Sequence, residues 1–248
     1  MSRAERIIDC HAMLGEETYL SLDAAELLRR MDAAEIDTAI ARPMGTGMVV
    51  DHRVGNNMVL NAGPRIRGLA TANPWWGVAG LEELARCRDL GAVGLFLDPL
   101  RQGFFPTEPV ATPFYERAVE YRWPVLFRTG AYIFADVLAV VEIARRYPSI
   151  DFIAGFGGFA DMWFEINGAI GAVPNLHLDA SMLWSDGVLE IINAHGPERV
   201  LFGSAEPRNH YRVNLRMLDR LELSAAARDA IYFKNAERIF NLKGGEST

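Results

Sequence analysis

Residues 124–154 read PVLFRTGAYIFADVLAVVEIARRYPSIDFIA, and this stretch contains the pattern that decides the fold. Two short apolar runs typical of strands, 124–127 and 151–154, enclose a segment of helical period at 135–147. Strands joined by such a helix run parallel, because a parallel connection needs a crossover of about a dozen residues. The stretch therefore predicts one strand–helix–strand unit of a parallel sheet.

The same alternation continues in both directions along the chain. The candidate strands are 6–10, 38–41, 66–70, 93–97, 124–127, 151–154, 176–178 and 200–202. The candidate helices are 23–31, 81–90, 113–121, 135–147, 162–170 and 187–194. Eight such repeats favour an α/β fold of the (β/α)8 TIM-barrel type, whose usual size is about 250 residues. A doubly wound sheet is disfavoured, since it usually has five or six strands and a glycine fingerprint that 155–158 does not match.

Composition limits the class of protein. The 248 residues show no linker or low-complexity tract, so residues 1–248 are expected to form a single domain. A net charge of −7 argues against nucleic-acid binding. No apolar run reaches the roughly 20 residues of a membrane span, and the N-terminus resembles no signal peptide. With only two cysteines, Cys10 and Cys87, a cytoplasmic location without disulfides is expected.

Polar residues follow most of the predicted strands. In a barrel of this type, chemistry collects at the C-terminal ends of the strands. The candidates at these ends are Asp9, His11, Arg42, Asn73, Asp98, Arg128, Asp179, Ser181, Ser204 and Glu206.

Six segments, in order along the chain, resemble the amidohydrolase superfamily. The resemblance is to its amidohydrolase-related branch, which includes aminocarboxymuconate-semialdehyde decarboxylase. They are IIDCHAML (7–14), ANPWWGVAGLEELARCRDLGAVGLFLDPL (72–100), FYERAVEYRWPVLFRTG (114–130), YPSIDFIAGFGG (147–158), RVLFGSAEP (199–207) and NAERIFNL (235–242). The resemblance covers nearly the whole chain. It implies an amidohydrolase-like barrel that acts by hydrolysis, decarboxylation or a related lyase or isomerase step.

The resemblance places the family's metal ligands at positions 11, 13, 128, 155 and 205. Only His11 is retained; the other positions hold Met13, Arg128, Gly155 and Ala205. A catalytic zinc generally needs three protein ligands, and a permanent cation such as Arg128 opposes a dication. The sequence therefore predicts no metal and no other cofactor.

The surviving polar residues suggest acid–base chemistry. His11 could be a general base oriented by Asp9, Asp179 or Glu206, or a relic that forms only local hydrogen bonds. His177, Asp179 and Ser181 share one strand face by their period of two, although His177 is expected to be a core histidine. The predicted catalytic set is His11, Asp9 and Asp179.

Arg128 is the main candidate for binding an anion. Its guanidinium could hold a substrate carboxylate, or form an internal salt bridge to Asp9, Asp179 or Glu206. Trp75 and Trp76 could wall a pocket for a planar ligand, with Asn73 and Ser181 as further substrate contacts. Cys10 has the opposite parity to His11 and is expected to pack under the helices.

Two functional hypotheses from different classes follow. The first is a metal-independent enzyme acting on a small, carboxylate-bearing, unsaturated or aromatic molecule. The second is a non-catalytic barrel that binds a ligand or stabilises a partner in a biosynthetic assembly. A third reading keeps a metal through a rearranged set of His11, Asp179 and Glu206. A homodimer is possible in each case.

Overall fold

Eight parallel barrel strands and one short hairpin strand form the framework of the chain. A computed structural model describes residues 4–131, 133–159 and 163–242. Its strands are β1 (Ile8–Glu16), β2 (Ser21–Leu22), β3 (Thr38–Pro43), β4 (Ile66–Gly68), β5 (Leu95–Leu97), β6 (Val125–Arg128), β7 (Phe152–Gly155), β8 (Leu176–Asp179) and β9 (Val200–Leu201). All eight predicted strands are confirmed, and β2 was not foreseen.

Helices separate these strands and cover the barrel. They are α1 (Ala24–Ala34), α2 (Thr46–Val49), α3 (His52–Leu60), α4 (Gly77–Asp89), α5 (Pro99–Gln102), α6 (Thr112–Tyr121), α7 (Val137–Arg146), α8 (Ile166–Ala172), α9 (Ser185–His195), α10 (Tyr211–Asp219), α11 (Ala225–Asp229) and α12 (Asn235–Ile239). The six predicted helices are confirmed within a few residues at their ends, but Met162 of the predicted 162–170 helix lies outside the described residues. The side chain of Asp23 caps α1 by accepting from the amide of Glu26, at 2.8 Å.

The strands form two sheets that hydrogen bonds join into one barrel. The sheet orders are β2-β1-β3-β4 and β5-β6-β7-β8-β9, with every pair parallel except β1 and β2. At one seam, Ala70, just after β4, forms a parallel bridge with Leu95, the first residue of β5. At the other, the amide of Cys10 donates to the carbonyl of Phe202 at 2.9 Å, and the amide of Ala205 donates to the carbonyl of His11 at 2.8 Å. The architecture is therefore the predicted (β/α)8 barrel.

Alternate residues of the strands face the barrel interior. One cluster of mutually packed side chains draws on six of the barrel strands and consists there of Ile8, Cys10, Ile40, Phe96, Leu126, Ile153 and Leu201. Phe233, Ile239 and Phe240 from the C-terminal helical segment belong to the same cluster. Asn235 of this segment donates to the carbonyls of Pro197 and Val200 at the start of β9, so the segment closes the N-terminal end of the barrel.

A bulge in β1 changes which of its residues point inward. The register between β1 and β3 shifts between Asp9 and Ala12. Because a bulge inserts an extra residue, Cys10 and His11 can both face the interior. Cys10 packs in the interior cluster, so the prediction that it lies under the helices is wrong. The expectation that neighbouring residues point to opposite faces holds only for a regular strand, and the bulge makes β1 irregular.

No helix among the described residues is both long enough and apolar enough to cross a membrane.

Candidate functional site

A buried chain of three polar side chains lies at the C-terminal ends of β1, β3 and β8. His11 Nδ1 is 2.7 Å from Asp179 Oδ2, and Arg42 Nε is 3.2 Å from His11 Nε2. All three side chains are buried. The structure therefore joins His11 to Asp179, one of the three carboxylates predicted to orient it, and adds Arg42.

The protonation state of His11 follows from its two partners. Arginine can only donate, so Nε2 accepts from Arg42 and Nδ1–H donates to Asp179. Burial lowers the pKa of His11 from its ordinary value, an effect larger than the opposing influence of Asp179. The imidazole is neutral at neutral pH, and both of its nitrogens are engaged inside the protein.

Asp179 accepts four hydrogen bonds. Oδ2 accepts hydrogen bonds from the His11 ring, from the amide of Phe156 at 3.0 Å and from the hydroxyl of Ser181 at 2.9 Å. Oδ1 accepts one from the amide of Ser181 at 2.9 Å. Phe156 has a φ of 64°, which is unfavourable for a residue with a side chain. This backbone conformation directs its N–H at the carboxylate. Ser181, a predicted substrate contact, is committed to Asp179 and buried.

Arg42 is the functional candidate that the sequence reasoning left without a role. Its guanidinium carbon lies 4.3 Å from the centre of the Phe96 ring and 5.8 Å from that of Phe156. Burial lowers the pKa of Arg42 to about 9, against the raising influence of Asp98 and Glu17. The available signal was its position at a strand end, two residues after the inward-facing Ile40.

Asp9 lies apart from this chain of contacts. It accepts from the hydroxyl of Ser204 at 2.6 Å, from the hydroxyl of Tyr211 at 3.0 Å and from the main-chain amide of His11 at 3.0 Å. Asp179, and not Asp9, holds the imidazole. The contacts of Asp9 tie β1 to the segment after β9 and to α10.

The burial of Asp9 predicts a pH dependence of stability. Burial raises its pKa from 3.8 to about 6, although hydrogen bonds from Ser204, His11 and Tyr211 oppose the shift. The carboxyl group of Asp9 therefore binds its proton more tightly in the folded state than in the unfolded state. The stability gained from this protonation is complete below about pH 4 and is lost as pH rises through about 6. The loss amounts to about 3 kcal/mol. We expect the free energy of unfolding of Asp9→Asn, relative to wild type, to rise by about this amount between about pH 4 and pH 7. Parallel pH profiles in urea denaturation would contradict this.

Arg128 forms a different salt bridge from those predicted. Its Nη1 lies 3.6 Å from Oδ1 of Asp98, and its side chain is 20% exposed. Asp98 also caps α5 by accepting from the amide of Arg101 at 3.1 Å. The predicted partners were Asp9, Asp179 and Glu206, and that part of the prediction is wrong.

Glu206 points away from the barrel mouth. Its carboxylate is 2.6 Å from Nη1 of Arg30 on α1 and accepts from the amide of Tyr211 at 3.2 Å. The third reading, a metal held by His11, Asp179 and Glu206, is therefore wrong. Across residues 4–131, 133–159 and 163–242, no three His, Cys, Asp or Glu side chains are grouped to hold a metal ion.

The positions of the family's metal ligands do not fit a divalent ion. His11 is already engaged on both nitrogens. Met13 is buried in the cluster between strands and helices, and Ala205 has a φ of 56°. At Gly155, a Cβ atom would lie 2.6 Å from the carbonyl oxygen of Phe127, so β6 and β7 leave no room for a side chain there.

The remaining predicted residues have structural contacts. Asn73 is mostly buried and accepts from the amide of Trp75 at 3.2 Å, and Trp75 Nε1 donates to the carbonyl of Gly103 at 2.9 Å. Trp76 packs edge-on against His52. Both tryptophans are about half exposed. His177 is deep in the barrel, 2.8 Å from Asp151, and is a core histidine as expected.

A cleft of about 930 Å³ opens at the barrel mouth. Its walls come from the segments after β1, β3, β5 and β9, within residues 16–20 and 45–50 together with Arg101 and Arg208. Trp75, Trp76 and Arg128 lie outside this lining. Its size is typical of small-molecule sites.

A family profile and solved structures match nearly the whole chain, and a curated relative matches about two thirds of it. A sequence profile of the amidohydrolase family matches residues 8–242. A 2-keto-4-carboxy-3-hexenedioate hydratase from Sphingobium sp. is 25% identical over 207 residues, which cover 65% of this chain and 61% of that protein. The chain thus spans about three fifths of the length of that curated relative.

Two solved decarboxylase structures have the same fold. A 5-carboxyvanillate decarboxylase from Novosphingobium aromaticivorans, with bound manganese, has a TM-score of 0.79 at 17% identity over 96% of this chain and 97% of that one. A 2,6-dihydroxybenzoate decarboxylase from Rhizobium has a TM-score of 0.73 at 17% identity over 96% and 99%. At such identities the likeness concerns the barrel alone.

Proposed function

This chain belongs to the amidohydrolase family, and we propose that it binds a small carboxylate-bearing molecule at its barrel mouth without using a metal ion. The observation that carries the proposal is a set of four arginines around the barrel mouth: Arg101 and Arg208, which line the cleft, and Arg42 and Arg128 at the ends of β3 and β6. Planar guanidinium groups match carboxylates in geometry as well as charge. Glu17 and Asp98 are the carboxylates paired with this group, so positive charge exceeds negative charge among these six side chains.

Binding, rather than turnover, is what the contacts of His11 favour. A general base needs a free lone pair within reach of the proton that it abstracts. The Nε2 lone pair of His11 is occupied by Arg42, and both side chains are buried. Among the two hypotheses from the sequence, this supports the ligand-binding barrel.

A second candidate function is a metal-independent hydrolase, decarboxylase, lyase or isomerase. The Asp179–His11 pair favours it, because a carboxylate that fixes one ring nitrogen prepares the other to accept a proton. Arg42 would have to leave Nε2 when the substrate binds. In this candidate His11 and Asp179 move the proton and Asp9 supports β1. Of the predicted substrate contacts, Arg128, Trp75 and Trp76 would then line the route of the substrate, whereas Asn73 and Ser181 keep their structural contacts.

Titration calorimetry with benzoate and fumarate as probes tests the proposal. We expect wild type to bind at least one of them with millimolar affinity or better, equally well after chelator treatment and with added zinc or manganese. Replacing Arg208 with glutamine removes one charge-assisted contact and is expected to weaken binding about tenfold or more. The matched control is Arg212→Gln, which removes an exposed arginine four residues away on α10 and should leave the affinity unchanged.

Three outcomes distinguish the candidates. If neither benzoate nor fumarate binds to the protein, the binding proposal is overturned. Binding that requires added metal would show that the mouth retains metal chemistry. Conversion of a bound probe, detected by proton NMR and lost in His11→Gln, would establish the second candidate.

A further inference from the structure

A hairpin reaches over one side of the barrel mouth. Strands β1 and β2 pair antiparallel through Gly15 with Leu22 and Glu16 with Ser21. The amide of Glu17 donates to the carbonyl of Leu20 at 2.7 Å and closes the turn. Tyr19 at the tip is 94% exposed, so its ring adds little packing against the barrel. The tip is therefore attached chiefly through Glu17.

Glu17 is held in the way that a ligand carboxylate would be held. Its two oxygens face the two terminal nitrogens of Arg101, with Nη2 to Oε2 at 2.9 Å, and Oε2 also accepts from Arg208 at 3.1 Å. The side chain is only 12% exposed. Burial raises the pKa of Glu17, but Arg101, Arg208 and Arg42 outweigh it and hold the pKa below its usual value. One ionised carboxylate thus links the loops after β1, β5 and β9.

The same two arginines line the cleft of about 930 Å³. Both oxygens of Glu17 occupy the guanidinium fork of Arg101, so an incoming carboxylate can reach that fork only by replacing Glu17. The exchange conserves charge, because one carboxylate leaves the arginines as another arrives. Val49 and Val50 lie on the cleft wall and offer apolar surface to the rest of the ligand.

We propose that Glu17 is an autoinhibitory contact: an internal carboxylate that occupies the ligand's carboxylate site on Arg101 and Arg208. The ligand class is a small organic carboxylate with an apolar body. Its binding displaces Glu17 and releases the tip of the hairpin. This inference rests on the proposed function and specifies that the guanidinium groups of Arg101 and Arg208 bind the ligand carboxylate.

The test is the affinity of Glu17→Gln for benzoate, measured by titration calorimetry. Loss of the internal competitor is expected to tighten binding about tenfold. Glu82→Gln is the matched control, because Glu82 is an exposed glutamate on α4 outside the lining of the cleft and carries the same charge. Its affinity should stay close to that of wild type. Benzyl alcohol, which has the ring without the carboxylate, should bind neither protein.

Hydrogen exchange gives a second readout. The amide of Glu17 should exchange faster in wild type when benzoate is added, and faster in Glu17→Gln without it, because the turn is no longer tied to the arginines. Unchanged or weaker benzoate binding by Glu17→Gln, with binding by wild type intact, would overturn the autoinhibitory contact alone. Absence of benzoate and fumarate binding by both proteins would overturn the inference together with the proposed function.

Discussion

Replacing Asp179 with alanine is expected to lower the free energy of unfolding by about 3–5 kcal/mol. The carboxylate accepts from the amides of Phe156 and Ser181, the hydroxyl of Ser181 and the ring of His11, all in the interior. Alanine leaves these donors buried without partners, and each such donor costs about 1–3 kcal/mol. Urea denaturation followed by circular dichroism measures the change.

Two variants serve as controls for Asp179→Ala. Asp179→Asn retains an acceptor for the amides but presents an N–H₂ group to His11, so its loss should be intermediate. Asp89→Ala removes an exposed aspartate at the end of α4 and should change stability by less than about 0.5 kcal/mol. A loss below about 1 kcal/mol for Asp179→Ala would contradict the view that this carboxylate organises the buried polar side chains at the barrel mouth.

Replacing Gly203 with alanine is expected to destabilise the protein by about 3 kcal/mol. An added Cβ would lie 2.0 Å from Oδ1 of Asp179 and 3.2 Å from Sγ of Cys10. Asp179 cannot move away cheaply, because four hydrogen bonds fix it. Gly168→Ala is the matched control. Gly168 is exposed on α8 with open space around it, so alanine there should stabilise the helix by about 0.5–1 kcal/mol.

The two substitutions should be strongly non-additive. Once Asp179 is alanine, its side chain no longer fills the space that the new Cβ needs, so Gly203→Ala should then cost less than about 1 kcal/mol. A double-mutant cycle in urea measures this coupling. Additive losses would mean that the clash at Gly203 is relieved by a shift of the main chain and does not act through Asp179.

Much of the fold and part of the site could be predicted from the sequence. Runs such as 124–127 and 151–154 sit on either side of a helical period, and these local patterns are present in the residues themselves. The pairing of His11 with Asp179 was also among the predictions, since parallel strands bring their C-terminal ends together. The prediction that the metal ligands implied by the family resemblance are missing also rests on residue identity alone, at positions 13, 128, 155 and 205.

Only the tertiary structure decided how the remaining polar side chains are paired. The bulge in β1 turns Cys10 to the barrel interior. The alternation of side chains between the two faces holds only where no extra residue is inserted into the strand. Arg42 meets His11, Arg128 meets Asp98 and Glu17 meets Arg101, across 31, 30 and 84 positions of sequence. Arginine and glutamate side chains are long and flexible, and several partners lie within reach at a barrel mouth. Their pairing is fixed by loop geometry and burial, which no local pattern in the sequence records.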